Sequence, residues 1–171
     1  MKVLLIIDPQ NDFITGSLAV PGAAAAMDYL TEWVRVHRAE YDAIVVTLDQ
    51  HPADHCSFAV QGGQWPVHCV IYTVGAALYP PLGEVLTDAQ RAGESVLYVP
   101  KATTQERDAY SAFEEYVPEA LRQATEIDVA GLAGDYCVRC SIANLRRHLP
   151  DTSMCTLDDA IAWIGEKQPL L

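Results

Sequence analysis

The chain has no basic block, no long apolar run and no even set of cysteines, and each absence removes a class of function. Eleven Lys and Arg stand against 23 Asp and Glu, a formal net charge of −12. Nucleic acid and anionic membrane are therefore excluded as partners, since both need clustered cations. The largest basic group, Arg146-Arg147-His148, is short enough to be a solvated helix end. The apolar run after Met1-Lys2 stops at Asp8, too short for a signal core or a bilayer span, so the chain is read as cytoplasmic. Five cysteines at irregular spacing do not make a disulfide framework, and each is taken as a reduced thiol. Repeats, linkers and low-complexity segments are also missing. What is present is an ordinary globular mix, half hydrophobic and a fifth charged, over 171 residues. That length fits one domain, 1–171, with a substantial core.

Lys2–Ile7 is an unbroken apolar run ending in Asp8-Pro9, which suits a strand covered on both faces of a parallel sheet. From Gly22 to about Arg38, apolar residues recur at helical spacing. Strands are predicted over 43–48, 95–99, 127–132 and 152–157. Helical stretches are predicted over 79–93, near Pro118, and after Asp135, which is placed as the N-cap. Alternation of this kind predicts a three-layer α/β/α fold with a mostly parallel, Rossmann-like sheet of five or six strands. The tail from Ala160 to Leu171 is weakly patterned. Either it supplies a reduced last strand and helix, or one sheet edge is short and covered by a partner copy in a homo-oligomer.

The chemistry-bearing residues fall in two groups. Asp49, His51, His55 and His68 lie on a long loop after the second strand, and a carboxylate with imidazoles there suits a divalent metal. An Asp49/His51/His68 set leaves coordination positions open. A closed structural zinc site from His51, His55, Cys56 and Cys69 is the alternative, and a non-catalytic metal-binding domain is another. The second group, Asp8, Lys101 and Cys137, sits at or just beyond three strand ends, which in a parallel sheet share one edge. Cys137 is placed in the first turn of a helix, where the dipole and free amides favour a thiolate. Acid, lysine and thiol make a covalent hydrolase set. Taken singly, Asp8 reads as a turn cap, Lys101 as a solvated loop lysine and Cys137 as a core residue. Cys137-Val-Arg-Cys140 also has the spacing of a dithiol redox site.

Four segments in order carry a resemblance: Ile7-Asp-Pro-Gln-Asn-Asp-Phe13, Asp49-Gln-His-Pro-Ala-Asp-His-Cys-Ser-Phe58, Trp65-Pro-Val-His-Cys69 and Gly131-Leu-Ala-Gly-Asp-Tyr-Cys-Val138. Lys101, with Asp108-Ala-Tyr-Ser-Ala-Phe113, adds a fifth. Together they resemble the nicotinamidase branch of the isochorismatase-like cysteine hydrolases. The resemblance implies an amidohydrolase taking nicotinamide, and also pyrazinamide, to the acid and ammonia through a Cys137 thioester, in NAD salvage. A related amidase for another small carboxamide is the nearest alternative. It implies Asp8, Lys101 and Cys137 as triad, and the Ala133 and Cys137 amides as oxyanion hole beside a cis peptide at Leu132-Ala133. It implies one divalent ion (zinc first, then iron or manganese) on Asp49, His51 and His68, with His55 a ligand or a supporting residue. Phe13, Trp65 and Ala133 match the substrate walls. Gln50 stands where the family has an aromatic, so the pocket edge near the metal is expected to differ. Ala102 stands where glycine is common.

Overall fold

A computed structural model describes residues 1–171. The sheet has five strands, all parallel: β1 (Lys2–Ile7), β2 (Ala43–Asp49), β3 (Val96–Lys101), β4 (Glu126–Gly131) and β5 (Ser153–Ile161). Their order is β3-β2-β1-β4-β5. Strands are added outward from β1 to β3 on one side and then from β4 to β5 on the other, and the carboxyl ends beside such a switch point are where open α/β sheets bind ligands. Of the two strand counts expected, five is found. β5 runs four residues past its predicted end, and after a register shift its Ile161 pairs with Gly131.

The unbroken apolar run of β1 is explained by coverage on both faces. Leu4 and Ile6 join one core with Ile14 of α1 (Asn11–Ile14), Met27, Leu30 and Val34 of α2 (Ala23–His37) and Leu82 and Leu86 of α3 (Pro80–Arg91). Val3, Leu5 and Ile7 point the other way, towards Leu121 of α4 (Glu119–Arg122) and Ile142 and Leu145 of α5 (Arg139–His148). This strict alternation is the period-two geometry of a strand buried twice over.

Two local features differ from expectation. Asp135 is not an N-cap: the turn Gly134–Val138 winds as a π-helix preceded by Ala133, and Asp135 lies inside it. The tail beyond Ile161 forms no further strand or helix but folds back on that turn. No helix is long and apolar enough to cross a membrane.

Candidate active site

Register decides what meets at the carboxyl edge. Asp49 is directly opposite Lys101 across the β2–β3 ladder, and Ile7 opposite Gly131 across β1–β4. Asp8 follows Ile7 with φ +48°, a left-handed turn that stops β1. Gly131 (φ +122°) lies so close to β1 that a Cβ would fall 2.1 Å from the Ile7 carbonyl oxygen, so only glycine fits before the Leu132-Ala133 peptide. That peptide is cis. The Ala133 N–H donates to no protein acceptor, while the Ala133 carbonyl accepts from the Tyr136 and Val138 amides.

Asp8, Lys101 and Cys137 do converge, all buried. Lys101 Nζ lies 3.0 Å from Asp8 Oδ2 and 3.5 Å from Cys137 Sγ, and it also donates to Asp49 Oδ1 and to the Ala109 carbonyl. Thr47 Oγ donates to Asp8 Oδ1 at 2.6 Å and fixes that carboxylate. Oxygens of Asp8 and Asp49 and the Cys137 sulfur lie within 4.8 Å of one another. One buried lysine therefore serves two carboxylates and a thiol.

Burial dominates the electrostatics. It pushes the Asp8 carboxyl above the ordinary range, and Lys101 only partly counters it. Burial would raise Asp49 too, but the Lys101 charge leads the effects that outweigh it and hold that carboxyl far below its ordinary value. Lys101 is held cationic by Asp49 and Asp8 against its own burial. The Cys137 thiol is pushed well up by burial, more than Lys101 draws it down. Desolvation and the two neighbouring carboxylates thus work against the thiolate that the helix start was expected to favour, while Lys101 works for it.

The metal candidates also meet. Asp49 Oδ2 lies 3.4 Å from His51 Nε2 and 3.9 Å from His68 Nε2. The two Nε2 atoms face each other at 3.3 Å. The His51 Nδ1–H donates to the Ala102 carbonyl at 3.1 Å, and the His68 Nδ1–H to the Pro66 carbonyl at 2.8 Å. A carbonyl can only accept, so both Nδ1 atoms carry the proton, and in the neutral ring that leaves the Nε2 lone pair facing inward. Burial lowers the His68 pKa and so favours that neutral form. Two lone pairs and a carboxylate oxygen aimed at one another need a cation between them, and carbonyl-anchored imidazoles are the usual support for one. The donor set fits one divalent ion.

His55 is not part of that set. Its Nδ1 lies 2.8 Å from Ser57 Oγ and its Nε2 3.1 Å from the Arg107 carbonyl, so both ring nitrogens are engaged. It stacks instead on His51, ring centroids 4.1 Å apart. Cys56 is half-buried and Cys69 lies in the apolar core, where burial raises its thiol pKa; neither belongs to the Asp49/His51/His68 group. Cys140 faces a separate cleft with Glu114 and Arg147, away from Cys137.

One small pocket, about 390 Å³ of atom-free space, joins both groups. Asp49, His68, Cys137 and Ala133 line it, with Phe13 and Trp65 as walls. Sequence reading gave no site role to Leu18, Asp108, Ala109, Tyr110, Tyr136 and Ile164, which complete it. The Trp65 and Gln64 side chains both donate to the Tyr110 hydroxyl, at 3.1 and 2.9 Å. Gln50 is not among the residues that line the pocket. Two supporting residues were also missed. Gln10, fully buried, takes the Asp49 N–H at 2.8 Å and donates to the Asp49 and Ala76 carbonyls at 2.7 and 2.8 Å. Phe58 packs edge-on to the His51, His55 and His68 rings. The signal for Gln10 was a polar residue directly after a strand-ending Asp-Pro.

Residues 2–162 match the model of the isochorismatase domain. The chain belongs to this family. Among curated proteins it is 38% identical over 151 residues to the nicotinamidase/pyrazinamidase of Mycobacterium tuberculosis, covering 81% of this chain and 75% of that one. Among solved structures, PnC1 from L. infantum in complex with nicotinate superposes with a TM-score of 0.81 at 34% identity, covering 97% and 83% of the two chains. The pyrazinamidase of Pyrococcus horikoshii in complex with zinc gives 0.78 at 29% identity, covering 96% and 87%. The family's α/β fold is the one found here.

Proposed function

We propose that this chain hydrolyses nicotinamide to nicotinate and ammonia, accepts pyrazinamide, and does so with Cys137 as nucleophile. The observation that carries the reading is a single aromatic-walled pocket lined at once by Cys137 and by Asp49 and His68 of the metal set. A small planar amide is the substrate class that such a pocket suits. The likeness to proteins named for nicotinamide and pyrazinamide hydrolysis supports that choice.

Asp8 takes the Cys137 proton as Sγ attacks the carboxamide carbon. This order suits a buried thiol with a base beside it, because no free thiolate has to persist. Lys101 faces Asp8, Asp49 and Cys137, so negative charge can move between Asp8 and sulfur without leaving its cation. The Ala133 and Cys137 amides receive the oxyanion; in other enzymes one such donor contributes roughly 3–4 kcal/mol. Asp8 returns the proton to the leaving ammonia, and water then cleaves the thioester to acid and thiol. A divalent ion on Asp49, His51 and His68 would supply an electrophilic point for the pyridine nitrogen and so orient the ring. Phe13 and Trp65 hold the ring faces, and Tyr110 keeps Trp65 in place. Cytoplasmic placement belongs to the same reading, since a nucleophilic thiol needs reducing surroundings.

The test is ammonia release from nicotinamide, pyrazinamide and an aliphatic amide such as acetamide, before and after chelation. Release confined to the heteroaromatic amides and lost on chelation is expected. Equal turnover of acetamide, or no effect of complete metal removal, would refute it.

A further inference from the structure

The tail is tied to the turn that carries Cys137. The Gly134 N–H donates to the Ala162 carbonyl at 2.8 Å. The Asp135 carboxylate takes the next two amides, Ile164 N–H on Oδ1 at 3.1 Å and Gly165 N–H on Oδ2 at 2.8 Å. Gly134 itself lies against the Trp163 indole, where a Cβ would fall 2.5 Å from ring carbons. Between these anchors Ile164 reaches the pocket that Cys137 lines, although 38% of its surface remains exposed. Asp135 belongs to neither the triad nor the metal set and does not line the pocket. An ionised carboxylate with both oxygens on consecutive amides makes charge-assisted bonds, strong enough to place a segment that has no ladder of its own.

We propose that Asp135 is a positioning residue that holds Ile164 in the pocket wall, and that this clamp limits the ring size admitted beside Cys137. The kinetic part rests on the amidase reading above; the clamp itself does not. Without the carboxylate, residues 162–165 keep only the Gly134 bond and the Trp163 contact. Ile164 can then withdraw, which loosens the grip on an unsubstituted ring and makes room for a larger one. The attacking sulfur, Asp8 and Lys101 are held by contacts that Asp135 does not make.

Hydrogen exchange tests the clamp without any substrate. Asp135→Ala should speed exchange of the Ile164 and Gly165 amides by at least about 10-fold, with β1 and β4 unchanged, because local opening need not follow global stability. Unchanged exchange at those two amides would overturn the proposal. Kinetics then test the consequence with nicotinamide and a ring-methylated nicotinamide. Asp135→Ala and Ile164→Ala should each raise KM for nicotinamide more than they lower kcat, and cut the preference for the smaller ring by about 10-fold, the scale of one methyl in an apolar pocket. Asp135→Asn, which keeps one acceptor oxygen, should fall between wild type and Asp135→Ala. A fall in kcat at constant KM with the preference intact would instead assign Asp135 to the nucleophile turn and overturn the wall role. If wild type releases no ammonia from either amide, the amidase reading fails, and the exchange result alone decides the clamp.

Discussion

The two halves of the site are built in opposite ways. The metal half, Asp49, His51 and His68, comes from one strand end and the loop that follows it. Its members are close in sequence, but most of what holds them is not: the Ala102 carbonyl stands behind His51 and Gln10 behind Asp49, and only Pro66 lies near the His68 that it anchors. The nucleophile half comes from β1, β3 and the turn after β4, and only sheet register brings its members together. Lys101 is the hinge between them, since it faces Asp8 and Cys137 on one side and Asp49 on the other. A local site can lose one ligand and keep its frame, whereas a site assembled around one buried cation fails as a unit.

Replacing the nucleophile should give the widest split between the halves. Cys137→Ala is expected to lower ammonia release by at least about 10⁴-fold, as for other covalent hydrolases, with metal content and melting temperature retained. Cys140→Ser should keep most of the activity, and equal loss from both would favour a dithiol mechanism. Lys101→Met should break both halves together. It leaves Asp8 and Asp49 buried without their shared cation, at a cost of about 3–5 kcal/mol in urea unfolding besides lost turnover. Unchanged stability would show that the lysine is not the shared counter-ion.

His51→Ala should affect the metal half alone: metal by mass spectrometry falls, and KM for nicotinamide rises about 100-fold while kcat moves less. A kcat loss at constant KM would mean the metal half takes part in the chemistry. Gln10→Ala probes the frame behind Asp49. Three lost hydrogen bonds should cost about 1–3 kcal/mol and weaken metal retention against a chelator, at unchanged kcat for reloaded enzyme. The smallest effect is expected at Ala102, whose φ of +49° is a left-handed conformation costly for a residue with a Cβ. Ala102→Gly should be neutral or stabilising by up to about 1 kcal/mol in thermal unfolding, because relief of strain is offset by glycine's extra chain freedom. A clear destabilisation would show that the methyl packs usefully.

The same contrast explains what could be read in advance. All five strands and the chief helices were legible, since their apolar periodicity is set within each segment. The metal set was legible because its members are close in sequence. His55 was not, because the partners that occupy it, Ser57 and the Arg107 carbonyl, include one more than fifty residues away. The burial of Cys137 was not legible for the same reason: a helix start can be seen in sequence, but the depth at which it lies cannot. Asp135 was assigned to its own turn, although its acceptor oxygens serve amides 29 and 30 residues on.

By itself the sequence determined the parallel α/β layering and the identity of the triad and metal candidates, because segment periodicity and side-chain chemistry are local properties. Tertiary structure decided how they work together: which oxygen meets which lysine, which imidazole turns its lone pair inward, and which tail residue closes the pocket. Those outcomes depend on strand register, burial and distant hydrogen-bond partners, which exist only once the chain has folded.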